Sequence, residues 1–231
     1  MSEPLRVEIR MATPIVVPSH IKCFDGLLAW ARVEQAISEG VPAPDCYAVQ
    51  NDLPLEKYEA GGQWVFKAST FSYQWSGERF ETHRIKRQKV DDYAESWMRS
   101  AIASSRKGRI RVDTRSGVNK AGLYPLALRQ CEVATAWCVG DGEAVKRLMR
   151  HVVTFGKGHN RGTGIVRSVE VCRDDLAMKF WDRRPMPAAY EGGATERYAP
   201  GVHPLQAPYW DTRKTEVCIL PLRNARGDFF T

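Results

Sequence analysis

The chain has no cysteine pair spaced CxxC, no apolar run approaching bilayer length, no internal repeat and no low-complexity segment. Each absence closes off a class. The six cysteines, at 23, 46, 131, 138, 172 and 218, are not clustered as zinc ligands, and a chain of 231 residues is large enough to fold without disulfide staples. They read as reduced thiols, mostly small core residues, of a cytoplasmic protein. The longest apolar stretches are too short to span a membrane. The opening MSEPLRVEIRM lacks a basic region followed by an apolar core, so no signal peptide is expected. Neither is a metal, since no Asp/Glu cluster is evident.

What the chain does have is positive charge in one place. The formal net charge is +7. Between Arg79 and Lys120 there are 12 Lys/Arg against 5 Asp/Glu, while the rest of the chain is balanced at 22 of each, so one segment carries the whole excess. Such a run is often only a solvated face. Concentrated in one long insertion, it points to a polyanionic partner.

Periodicity places the elements. LRVEIRM alternates, with Leu5, Val7, Ile9 and Met11 on one face, which predicts a half-buried strand. In FDGLLAWARVEQAISEG, Phe24, Leu27, Leu28 and Ala31 recur at helical spacing, and Gly40 is the stop. A Pro-rich connection leads to QWVFKASTFSYQW, read as a second strand from its aromatic and β-branched content. After the basic insertion, 79–120, which itself contains a short helical pattern in DDYAESWMRSAIASSRKG, LRQCEVATAWCVG reads as a third strand. DGEAVKRLMRHVV is a helix capped by Asp141, and GIVRSVEVCR a fourth strand. The order βαββαβ defines an α+β, ferredoxin-like fold in a single domain, 1–231. The C-terminal extension, 174–231, is rich in Pro and aromatics; it has one strand candidate, EVCILPL, and is expected to pack against the sheet.

Between the second helix and the last strand lies TFGKGHNRGTGIV, with glycines at 156, 158, 162 and 164. Cationic glycine loops often hold phosphates. A P-loop needs GK followed by Ser or Thr, and here Gly158 follows Lys157. A dinucleotide fingerprint needs GxGxxG leading into a helix N-terminus, and this loop leads into a strand. A tight helix-to-strand turn would need two glycines, not four. From Ala144 to Val169 there are six Lys/Arg and no acid, so backbone N–H groups and cations together suit a sugar-phosphate strand. The third strand lacks the aromatic pattern with which RNA-recognition motifs read bases on an open sheet.

The GxGxxxGxG loop in a ferredoxin-like pattern, together with FDGLLAWA after the first strand and the basic insertion, resembles the RAMP superfamily of CRISPR RNA-binding proteins. Within it the chain looks most like the type IV effector subunit that caps the guide RNA 5′ end, the Cas-five-like member of a Cascade-like complex. That resemblance implies a non-catalytic subunit without cofactor. Its partners would be the crRNA 5′ handle, the CRISPR backbone subunits and the large subunit, with target DNA met only through the complex and no membrane partner. It implies RNA contacts by Gly156, Gly158, Gly162 and Gly164, with Lys157, His159 and Arg161 as side-chain contacts. The insertion would act as a thumb over the RNA, and charge alone nominates Arg84, Lys86, Arg87, Lys89, Arg106, Lys107, Arg109 and Arg111 as its phosphate contacts. Tyr73, Trp75 and Phe80 are possible stackers but better core or interface residues, and FWDRRP (Phe180 to Pro185) is a further surface candidate.

Some relatives in that superfamily cleave precursor RNA without metal. If this chain did so, His20, just before the first helix, and His83, in the insertion, would be its acid/base candidates. A metal-independent endoribonuclease is therefore the alternative reading. A nucleotide- or polyanion-binding protein unrelated to CRISPR is the third.

Overall fold

The computed structural model describes residues 2–16, 21–86, 122–158, 162–192 and 197–222, with the side chains of 83–86 and 124 left aside. The chain divides into two compact units, 79–128 and the remainder. In the smaller unit the described residues are the outer ends of two long strands, β5 (Ser72–Lys86) and β6 (Gly122–Asp141), with Phe80 47% exposed.

The larger unit is built on an antiparallel sheet. Strand β1 (Ser2–Met11) lies between β6 and β7 (Val166–Arg173), antiparallel to both, and β6 also pairs β5 and the two-residue β2 (Ile15–Val16). Numbered along the chain, the four long strands stand in the spatial order 4-1-3-2, a mixed α/β arrangement compatible with a ferredoxin-like core. Strict alternation makes β1 the central strand: Leu5, Val7, Ile9 and Met11 are all buried on the face that carries the helices. Opposite them β6 presents Ala134, Ala136 and Cys138, small side chains that let helices approach closely.

Two helices cover that face. Helix α1 (Phe24–Ser38) buries Phe24, Leu28 and Ala31. It ends in a Schellman motif: Gly40 N–H donates to Ile37 O and Val41 N–H to Ala36 O, with Gly40 at φ +67°. Helix α2 (Gly142–Met149) starts where the Asp141 carboxylate accepts from Ala144 N–H at 2.9 Å, and it buries Val145, Leu148 and Met149.

Two expectations need correction. QWVFKASTFSYQW is not one strand. Its first part is β4 (Gln63–Phe66), which forms a hairpin with β3 (Lys57–Ala60) through Gly61 and Gly62 at φ +58° and +78°. Residues 67–70 then break away to bond β6, through Val139 N–H to Lys67 O and Ser69 N–H to Trp137 O, before β5 begins. The extension, too, holds more than one strand: β8 (Met186–Pro187), β10 (Thr215–Pro221) and β9 (Tyr198–Pro204) form a sheet of their own around Val65, Met186, Leu205 and Cys218. The extension meets the main sheet through Asp174, whose N–H donates to Pro4 O and whose carboxylate pairs with Arg6, and through the short helix α3 (Ala177–Phe180), where Phe180 packs edge-on against Trp137 on the face away from α1 and α2.

All six cysteines are free; four are buried, Cys172 is half-buried and Cys46 exposed. Burial pushes the Cys131 thiol up to about 12, so it sits in the core as a neutral group. Among the described residues no helix is long and apolar enough to cross a membrane, and no group of three or more His, Cys, Asp or Glu is placed to hold a metal.

Candidate nucleic-acid interface

The glycine loop joins α2 to β7 and is anchored at its base. Phe155 N–H donates to Gly164 O, Gly164 N–H to Pro14 O, and Ile165 N–H to the Thr13 hydroxyl, at 2.7 to 2.9 Å. Across its neck the Thr163 hydroxyl donates to Lys157 O at 2.8 Å. Gly156, Gly158, Gly162 and Gly164 all have positive φ, between +68° and +93°, a backbone region that L side chains rarely adopt. They divide into two pairs. A side chain at Gly164 would strike the Phe155 carbonyl and one at Gly158 the Thr163 hydroxyl, so these glycines close the loop on itself. At Gly156 and Gly162 an added Cβ would meet nothing within 4 Å among the described residues, which leaves room for another chain to approach there. The described ends of the loop are thus tied together at the base, with Lys157 next to Gly156. His159 and Arg161 lie outside the described residues, as do His20, Arg87, Lys89, Arg106, Lys107, Arg109 and Arg111. Arg84, Lys86 and His83 are described only as backbone of β5.

Gly156 and Thr154 also form one wall of a cleft of about 620 Å³. The other walls come from α1 (Trp30), Phe71 and the segment 207–210 of the extension. Lys22 enters it from the residue pair before α1. Burial, with the nearby charge of Lys157, lowers the Lys22 pKa below the ordinary lysine value. Its ammonium lies 6.0 Å from the centre of the Phe155 ring, and among the described residues it has no hydrogen-bond or ion-pair partner. Lys22 and Trp210, which is 71% exposed, were not singled out by sequence; an isolated lysine and a tryptophan in a Pro-rich tail carry no local signal.

Tyr209 is held in the cleft wall by a buried charge network. The guanidinium of Arg184, fully buried, donates to Asp25 (3.2 Å), to the carbonyls of Phe66, Ala68 and Leu205, and to the Tyr209 hydroxyl (2.8 Å). Tyr209 in turn donates to the second Asp25 oxygen at 2.6 Å. Burial alone would lower the Arg184 pKa, but Asp25 and Tyr209 outweigh it and raise it. Burial, against the opposing pull of Arg184, keeps Tyr209 protonated with its pKa well above the usual value. The FWDRRP surface candidate is therefore largely structural: none of its residues is exposed, Arg184 is a core residue, Trp181 packs against the second cluster, and Arg183 stacks its guanidinium 3.7 Å over Phe180. Tyr73 and Trp75, stacked at 5.0 Å, are likewise packed against the main core.

Residues 3–221 match the family described as CRISPR type IV associated protein Csf3. The match spans nearly the whole sequence, and the chain belongs to that family, as fits a Cas-five-like type IV subunit. A comparison with curated proteins finds no match.

Proposed function

We propose that this type IV CRISPR-associated protein is a non-catalytic RNA-binding subunit that holds the crRNA 5′ handle. In this reading it works in the cytoplasm within a Cascade-like ribonucleoprotein on a RAMP-type core. It contacts neighbouring backbone subunits and the large subunit, and meets target DNA only through the complex. The observation that carries the reading is the glycine loop. Two glycines at positive φ, Gly156 and Gly162, where an added Cβ would meet no described atom within 4 Å, lie with Lys157 in a stretch of six Lys/Arg without an acid and would let a phosphate backbone approach main-chain N–H groups closely. The basic segment 79–120, with 12 Lys/Arg against 5 Asp/Glu, adds positive charge of the kind that tracks a nucleic-acid strand.

The test is the salt dependence of binding to a labelled single-stranded RNA carrying the handle. Each phosphate contact on a single strand contributes about 0.7 to the slope of log affinity against log salt. Lys157→Ala combined with Arg161→Ala is expected to weaken binding and flatten that slope by about 1.4. An unchanged slope counts against the placement of RNA on the loop. Incubating the same RNA without metal tests the nuclease alternative: site-specific cleavage, lost in His20→Ala or His83→Ala, would replace the non-catalytic reading.

A further inference from the structure

The cleft beside the glycine loop has the composition of a ligand site. Its volume, about 620 Å³, falls within the ~300–1,000 Å³ typical of small-molecule pockets. Its walls are aromatic: Trp30, Phe71, Phe155, Tyr209 and Trp210. Phe71, Phe155 and Tyr209 are held in place by the fold itself. Phe71 and Phe155 pack edge to face at 4.8 Å, and Tyr209 is pinned by Arg184 and Asp25 while its ring edge lies against Gly26, where an added methyl would come within 3.0 Å. Trp210 lines the cleft with 71% of its surface exposed. Lys22 is the odd member of the set. A half-buried ammonium in an aromatic cleft, with no acceptor among the described residues and a second cation, Lys157, near it, is a costly arrangement unless an anion completes it.

We infer that the cleft seats one unpaired nucleotide of the bound RNA, its base against Trp210 and the aromatic wall and its phosphate between Lys22 and Lys157 beside Gly156. This rests on the RNA-binding reading above and adds to it a position at which base and backbone are held together. The chemistry favours a nucleotide over an apolar side chain of a partner protein, which would fill the aromatic wall and leave two neighbouring ammonium groups without an anion. It favours a nucleotide of a strand over a free one because Gly156 makes the cleft continuous with the loop. Tyr209 is a positioning residue here, and Arg184 positions it in turn.

The experiment is an abasic scan. The full-length protein is titrated with synthetic single-stranded RNAs of the handle sequence, each lacking one base. One position is expected to lose affinity by on the order of ten-fold, the scale of a single base stacked on an aromatic side chain, with smaller losses elsewhere. Trp210→Ala should bind intact RNA as weakly as the wild type binds that abasic RNA, and should no longer distinguish the two. Trp210→Phe should restore the distinction, which a merely structural role would not predict. Lys22→Met should flatten the salt slope by about 0.7. A uniform abasic profile overturns the inference, as does RNA binding unchanged in both Trp210→Ala and Lys22→Met; if Lys157→Ala with Arg161→Ala still weakens binding, the RNA reading stands without the subsite. Loss of a copurifying subunit in Trp210→Ala, with the abasic profile intact, assigns the cleft to a protein and also overturns it. Failure of the wild type to bind any of the RNAs removes the RNA reading itself, and the subsite with it.

Discussion

Arg184 and Lys22 are both long cations withdrawn from solvent around the start of α1, and they have opposite surroundings. Arg184 is saturated: a carboxylate, a phenol and three carbonyls, from Phe66, Ala68 and Leu205, surround its guanidinium. Lys22 has aromatic rings beside it, another cation nearby, and no acceptor among the described residues. A buried charge whose partners are all present explains itself through the fold; one without partners is explained by what binds. The first holds the extension onto the core and sets the cleft wall. The second marks where the cleft is incomplete.

The strongest way to sharpen that contrast is to remove Arg184. Arg184→Ala leaves the Asp25 carboxylate uncompensated in the core and is expected to cost about 3–5 kcal/mol in a urea melt. Next comes Gly164→Ala, which adds to the ~1–2 kcal/mol of left-handed backbone strain a collision with the Phe155 carbonyl. Gly162→Ala, whose methyl would meet no described atom within 4 Å, should show the strain alone, so the two melting curves should separate in that order. Lys22→Met should leave stability unchanged or raise it, because it removes from an apolar site an ammonium with no acceptor among the described residues. A loss as large as that of Arg184→Ala would break the comparison.

The smallest effect is in the pH dependence. The Lys22 pKa is lowered in the folded state, first by burial and then by Lys157. Between that value and the unfolded value near 10.4 the unfolded chain holds more protons, so stability should rise with pH across this window and level off above it. The increment should be absent in Lys22→Met. RNA affinity should move the other way, falling over the same range as the ammonium is neutralised, and Lys22→Arg should keep it flat.

Much of the core was legible because it depends on local periodicity. The alternation in β1, the helical spacing in α1, the Asp141 cap and the Gly40 stop are short-range signals, and each element formed where its pattern placed it. The hairpin at Gly61–Gly62 was also signalled locally, by paired glycines between β-rich runs, and went unread because the Pro-rich stretch before it looked like a connection. The break at 67–70 had no such signal. It arises because Lys67 and Ser69 bond β6 some 70 residues further on. The two arginines in FWDRRP make the same point. They are identical in sequence chemistry, yet Arg184 is a core residue because its carboxylate partner lies 159 positions away, while Arg183 lies over Phe180. The glycine loop could be found in sequence as a motif. The cleft could not, since Lys22, Gly156 and Trp210 are brought together only by the fold.

The most direct test of the central claim is photocrosslinking of the purified ribonucleoprotein followed by mass spectrometry of the peptides. If the chain holds its guide RNA at the glycine loop, nucleotide adducts will appear on the peptides spanning 151–167, with a second set around Trp210. Adducts confined to other surfaces, with both regions unmodified in a complex that contains the RNA, would contradict it.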